Sequence, residues 1–359
     1  MPIQRNEKKC YCFTWRIENM SYIPEKLDLE ILSPAFVVDE IERKKWEISL
    51  FPRGRVEESD KSIAVYLQQN EVANVDCRSE FEIAFVGEDG SILVSGTSKA
   101  NFARQFGYGF PEFALIKEVF ETKRSLFLPK DALTIRCRIW KIGETMSQDV
   151  QCFAVTRIGV QKISYLWNLE NFSTLALEKK CNYLIKSPMN DASFMSVDLF
   201  VTEGKNSDKV ICCALSLQDE AIKYCTLRLS LVDASGNRIL CNQEKFWYDE
   251  EHKGAAFTFF FNKKLLLENK KLFLPNDILS LQWEWAFSEG IVHKKVEEIQ
   301  HGHIKPEAKH CDDKKVTKDK IPRSSFKNNL RYFYREIPLR RLGRELPTYT
   351  FGRYFGNNY

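Results

Sequence analysis

The sequence predicts an all-β protein made of two tandem antiparallel β-sandwiches followed by a basic tail. Three observations carry that expectation. An internal repeat runs along most of the chain, short strand-like runs alternate with turn signals, and the composition can supply two cores. Of 359 residues, 44% are hydrophobic and 13% aromatic, against 28% charged, which is enough apolar material for globular domains. The length fits about two domains of ~150 residues.

The repeat decides how everything else is read. "FTWRIENMS" at 13–21 returns as "YLWNLENFS" at 165–173, and "LFLPKDALTIRCRIW" at 126–140 returns as "LFLPNDILSLQWEW" at 272–285. "FVGEDGSI" at 85–92 aligns with "LVDASGNRI" at 231–239, with Gly90 and Gly236 in the turns, and "SPAF" at 33 aligns with "SPMN" at 187. The order is kept and the offset is nearly constant. Two copies of one domain follow, at 9–142 and 160–290, with a break between 143 and 159.

Within the first copy, "KSIAVYLQ", "EFEIAFV" and "ALTIRCRIW" alternate or run apolar over strand lengths, bounded by "PRG", "GEDG" and "LPKD". Those boundaries are turn signals. "VICCALSL", "TLRLSLV" and "ILSLQWEW" fill the same places in the second copy. Many short strands with few helical periods predict sandwiches. Pro111 opens a helical turn or two in "PEFALIKEVF", 111–120.

The stretch "RQFGYGF" at 104–110 is unusual, because glycine is disfavoured inside strands and large rings are disfavoured on loops. It mounts Phe106, Tyr108 and Phe110 around Gly107 and Gly109. Glycines let a backbone bend and approach a ligand closely. Rings add flat apolar contact with little entropy to lose.

The N-terminus "MPIQRNEKKCYC" has no apolar signal region, and runs such as "AAFTFFF" are far shorter than the ~20 residues of a membrane span. The expectation is a soluble protein of the cytoplasm, the nucleus or both. Eleven cysteines, an odd number, are scattered through strand-like runs. They read as reduced thiols packed as small hydrophobes.

An opening "FTWRIENMS", a middle "KKWEISLFPRG", then "VYL", "FEIAFV", the Gly-aromatic stretch and a closing "LPKDALTIRCRIW" resemble the MATH (TRAF-like) domain. The set most resembles that of the speckle-type POZ adaptors, over both copies and more specifically in the first. The resemblance implies about eight antiparallel strands per copy and a shallow groove for an extended Ser/Thr-rich peptide. Carried over by motif, it assigns the peptide-binding groove to Tyr66, Phe81, Phe102, Tyr108, Gly109 and Phe110. Phe102 is the supporting ring, and Phe81 and Phe102 are equally well read as core. Phe113 fits the core. Ala100 and Tyr108 depart from the tyrosine and tryptophan usual there, and a Lys-Asp pair is missing at Phe106-Gly107. These departures imply a wider, less polar groove. In the second copy Ala214, Leu227 and Ala255 replace Tyr66, Phe81 and Tyr108, leaving Phe257. Without aromatic anchors, that copy reads as a structural or partner-contact domain.

From His293 onward the tail holds 16 Lys/Arg against 8 Asp/Glu, net +8, while the rest holds 37 against 41, net −4. A polar, charge-rich segment of this kind is expected to be largely disordered. Arg mixed with aromatics near the end gives a distant nucleic-acid alternative. His301, His303, His310 and Cys311 match no standard zinc spacing and read as solvated linker. No metal or cofactor is implied, and no Cys or His stands in a recognisable catalytic context. The expectation is a non-enzymatic protein-binding module, resembling the substrate-recognition part of a cullin-RING ubiquitin ligase adaptor. Its implied partners are substrate proteins with Ser/Thr-rich motifs and, through a BTB-bearing adaptor, a cullin ligase. No BTB (POZ) domain is visible after 293. The alternatives are a scaffold or competitor of full adaptors, or a truncated gene product.

Overall fold

Period-2 burial turns the sequence runs into strands. The structure, a computed structural model, describes residues 8–39, 41, 44–57, 61–69, 78–102, 107–143, 146–186, 193–204, 208–248 and 253–302. The first copy holds β1 (Tyr11–Glu18), β2 (Ile31–Leu32), β3 (Phe36–Val38), β4 (Lys44–Phe51), β5 (Ser62–Gln69), β6 (Arg78–Val86), β7 (Ile92–Asn101), β8 (Tyr108–Leu115) and β9 (Ala132–Lys141). The second holds β10 (Val150–Leu169), β11 (Cys181–Lys186), β12 (Ser193–Glu203), β13 (Lys209–Leu217), β14 (Tyr224–Val232), β15 (Arg238–Trp247), β16 (Gly254–Asn262) and β17 (Leu279–His301).

Three sheets result. One runs β2-β4-β5-β8, with β3 also on β4, and another runs β11-β12-β13-β16. The third crosses both copies in the order β15-β14-β17-β10-β1-β9-β6-β7. Each copy is therefore a sandwich of one private sheet and one half of the shared sheet. Trp15, Trp46, Phe81 and Phe85 fill the first core. Leu227, Trp283 and Phe287 fill the second.

The expected break at 143–159 is corrected by β10, which starts at Val150 and runs unbroken past 160. Its first half pairs in parallel with β1, Tyr11 opposite Val150 through Glu18 opposite Arg157. Its whole length pairs antiparallel with β17. The lower end of that two-stranded ribbon seals the β1 edge, a stronger demand than a flexible linker between copies. Trp15 Nε1 donates to Thr156 Oγ1 at 2.9 Å in the buried seam, and Asn19 Nδ2 donates to the Ile158 carbonyl at 2.7 Å. The described residues of both copies belong to one compact unit. For the same reason residues 293–301, expected in the tail, are the last turns of the ribbon; the tail from 303 onward lies outside the described residues. Pro111 also departs from expectation, since it sits in β8 rather than opening a helix. β8 is an edge strand, where a missing N–H is tolerated. Helical turns come later, at Glu118–Thr122 and Arg124–Phe127.

The strongest repeat signals turn out to be a fold lock. Asn19 and Asn171 take left-handed backbone, as do Asp131 and Asp277, a conformation Asn and Asp tolerate better than most residues. In the first copy Ser21 Oγ donates to Asp131 at 2.8 Å, joined by Arg124 at 2.7 Å. In the second, Ser173 Oγ donates to Asp277 at 2.7 Å, with Lys270 at 3.3 Å. The lock ties the turn after each opening strand to the turn before each closing strand. The Ser173 hydroxyl and backbone hold the Asp277 carboxyl below its usual range. Folding lowers this pKa, so its stabilisation is complete above the ordinary carboxylate value and is lost as pH falls through the lowered one. Asp277→Asn is expected to lower the melting temperature at neutral pH and to melt like the parent near pH 2. Melts across that range check it; a deficit that persists in acid removes the assignment.

Nine described cysteines are free, seven of them buried, with Cys181 and Cys212 half-buried; Cys77 and Cys311 lie outside the described residues. Burial pushes the Cys10, Cys225 and Cys241 thiols up to about 12. The expected result is that brief alkylation of the folded chain labels Cys181 and Cys212 ahead of these three, and that mass spectrometry finds no intramolecular disulfide. Equal labelling of all nine would contradict the packing described.

Candidate functional site

The private and shared sheets of the first copy end in two edge strands, β8 and β7, on the same open side of the sandwich. What lies between them is set by register. Residues directly opposite in an antiparallel pair point to one face. Tyr108 is opposite Leu67 and Phe110 is opposite Val65, while Gly109 is opposite Tyr66. Val65 and Leu67 are fully buried, so Tyr108 and Phe110 point inward toward β7. Tyr66 points to the outer face.

The inward rings form a connected set. Phe102 meets Tyr108 edge-on at 5.0 Å and Trp46 at 4.7 Å. Phe81 lies 5.9 Å from Phe102 and 6.3 Å from Phe110. Phe81 and Phe102 are fully buried, while Tyr108 and Phe110 are partly exposed. The first two are thus a floor rather than a contact surface, because β6 lies between β9 and β7 and its inward residues enter the core. Phe113 is buried beside Phe85 and Phe110, as expected, although from β8 and not from a helix.

Tyr66 is not brought into this set. It packs against Phe51 at 5.9 Å, with the Arg55 guanidinium 5.7 Å from its ring. Burial pushes its hydroxyl pKa up, against the pull of Arg55. Gly107 lies beside it, since a Cβ there would sit 3.4 Å from Tyr66 Cβ. A ligand touching both Tyr66 and Tyr108 must therefore cross the β8 edge. Phe106 lies outside the described residues.

Gly109 serves the sheet before it serves a ligand. A Cβ there would overlap the Val65 carbonyl oxygen and lie 2.6 Å from Tyr66 Cα. Gly96 is a contributor the sequence reading missed. A Cβ on it would lie 2.6 Å from the Phe110 ring, so the ring seats directly on β7 backbone. A glycine inside the run "ILVSGTSKAN" is the signal that marks such a close approach.

The outcome is a shallow apolar cleft, floored by Phe81 and Phe102, walled by Tyr108 and Phe110, and rimmed by β7. Among the described residues no strand covers the outer edge of β7. Ser98 stands opposite Phe81 on the inner face of β7. In the second copy Ala255 is opposite Leu215, Phe257 opposite Cys213 and Ala256 opposite Ala214. The register confirms these as the counterparts of Tyr108, Phe110 and Gly109. Leu227 and Phe257 are buried there, and no tyrosine wall stands beside them. His301 closes β17 opposite Val150; His303, His310 and Cys311 lie outside the described residues.

The family model of the MATH domain matches residues 12–139, so the first copy is a MATH domain, a protein-interaction module. TD and POZ domain-containing protein 2 of Mus musculus is 27% identical over 145 residues, 40% of each chain. TD and POZ domain-containing protein 3 of Mus musculus is 27% identical over 143 residues, 39% of each chain. This chain thus spans about two fifths of the length of the curated relatives it matches. The solved structure of Notothenia coriiceps TRAF5 aligns over 38% of this chain and 75% of that one, at 14% identity and a TM-score of 0.31.

Proposed function

We propose that the first copy captures an extended segment of another protein in the β7–β8 cleft. The observation that carries this reading is the pairing of a free strand edge with a partly exposed aromatic wall. An added strand gains main-chain hydrogen bonds from the β7 edge, and its alternate side chains meet Tyr108 and Phe110. Small Ser and Thr residues suit the narrow strip of β7 around Ser98, opposite Phe81, which supports a Ser/Thr-rich segment. The likeness to proteins named for a POZ domain supports a finer reading, in which this chain is the substrate-recognition part of a ubiquitin ligase adaptor and a POZ-bearing partner supplies the ligase. A scaffold or a competitor of such adaptors is the rival reading.

Tyr108→Ala in the full chain is expected to weaken binding to peptides selected from a library by about 1–3 kcal/mol, as removal of a central interface ring does. Tyr66→Ala, on the other face, is expected to cost less. Fluorescence titration reads both; equal affinity of parent and Tyr108→Ala, with the fold intact, would remove the cleft from the function. Capture of a cullin only when a POZ-bearing partner is added separates the ligase reading from the scaffold.

A further inference from the structure

We propose that residues 163–169 of β10, with Tyr183 of β11, form a second docking edge that takes an extended peptide segment of another protein as a parallel strand. One edge of β10 is fully occupied by β17. The other is paired by β1 only from Val150 to Arg157. Asn19 reaches Ile158, and Lys162 reaches the Tyr22 ring at 5.8 Å. Beyond that, no strand among the described residues pairs this edge. The open stretch therefore continues, on the same strand edge, an interface the protein already uses.

The internal repeat shows what such an edge accepts. Phe13 and Trp15 of the first copy correspond to Tyr165 and Trp167 of the second. Phe13 stacks on Phe36 at 4.0 Å, and Tyr165 stacks on Tyr183 at 4.6 Å. Phe13 and Trp15 are fully buried, each at 0% exposure, with a parallel strand beside them in the sheet. Tyr165, Trp167 and Tyr183 are only half-buried. The covering strand in the first copy turns Val150, Cys152, Ala154, Thr156 and Ile158 inward, all of them buried. Thr156 accepts the Trp15 indole N–H, while Trp167 has no such acceptor among the described residues.

The same aromatic row without its flanking strand specifies the occupant. It is an extended segment with small apolar side chains at alternate positions. A Ser or Thr stands two residues beyond the one opposite Trp167, as Thr156 stands two beyond Ala154 opposite Trp15. A strand of this pattern gains backbone pairing along the edge and buries the three rings. This edge lies on the second copy and does not depend on the β7–β8 cleft.

The test uses the full chain and a fluorescein-labelled synthetic peptide with the sequence of residues 149–158, its cysteine replaced by alanine. The peptide is expected to bind and to slow hydrogen exchange at the amides of 163–169. Valine in place of the peptide threonine is expected to weaken binding about tenfold, the scale of one hydrogen bond to an otherwise unpaired donor. Trp167→Phe is expected to weaken binding similarly, and the two changes together no more than either alone. A second variant, Tyr165→Lys, places a charge on the ring floor and should abolish binding if the edge is the site. Melting curves confirm that each variant is folded. No binding, protection confined to 11–18, or parent affinity in both chain variants overturns the proposal.

Discussion

Ending the chain at Ile142 is expected to leave the first copy aggregation-prone and much less stable than the same copy followed by residues up to Pro306. The cut removes the whole parallel ladder from Tyr11 to Glu18 and leaves β1 as a bare edge, a template for pairing with other chains. It also strips the Trp15 indole of its buried acceptor and Glu18 of the Arg157 guanidinium 2.6 Å away. Thr156→Val in the full chain isolates one part of this loss. A buried donor left without a partner costs about 1–3 kcal/mol, so its urea midpoint should fall while the slope stays the same. Sedimentation and urea unfolding of the two chain lengths give the rest. A monomeric 1–142 chain with an unchanged midpoint would show that the ribbon only rests on β1.

Gly109→Ala is expected to unfold the private sheet of the first copy or cost about 3 kcal/mol or more, the upper range for forcing extra volume into a packed site. The new methyl would meet backbone atoms of Val65 and Tyr66, which cannot rotate away as a side chain can. β8 would have to leave β5, carrying Tyr108 and Phe110 with it. The second copy shows that this demand is local: Ala256 occupies the matching position opposite Ala214. Ala256→Gly is therefore expected to be mild, with only the modest cost of a more flexible strand residue. Thermal melts of both variants compare them; a Gly109→Ala chain as stable as the parent would mean the two strands separate freely here.

The fold was readable wherever hydrophobic period and turn chemistry were local. β5, β6, β9 and their counterparts stand where alternation placed them, and the repeat aligned the copies to the residue, as the register of Ala255 against Tyr108 shows. The path of β10 was not readable. Residues 150–159 carry the alternation of a strand, "VQCFAVTRIG", but their partners lie 139 positions back in β1 and as many as 151 ahead in β17. No local signal names such partners. In the candidate cleft the rings were visible as residue types. Their facing was not, because one residue of register separates Tyr66 from Tyr108 by the thickness of a sheet.

The place of β10 in the sheet also sets an order of events during synthesis. β1 leaves the ribosome early, yet its outer neighbour begins at Val150, and the far arm of the ribbon ends at His301. At ~5–20 residues per second, the stretch from Glu18 to Arg157 takes about 7–28 s to appear. Throughout that interval a nascent first copy carries an unsealed edge. Arg16 and Glu18 on β1, which pair with each other at 3.4 Å, place charges on that edge, the kind of residue that discourages stray pairing. Their service to the molecule is thus greatest before the chain is finished, when a neighbouring nascent chain is the nearest available strand.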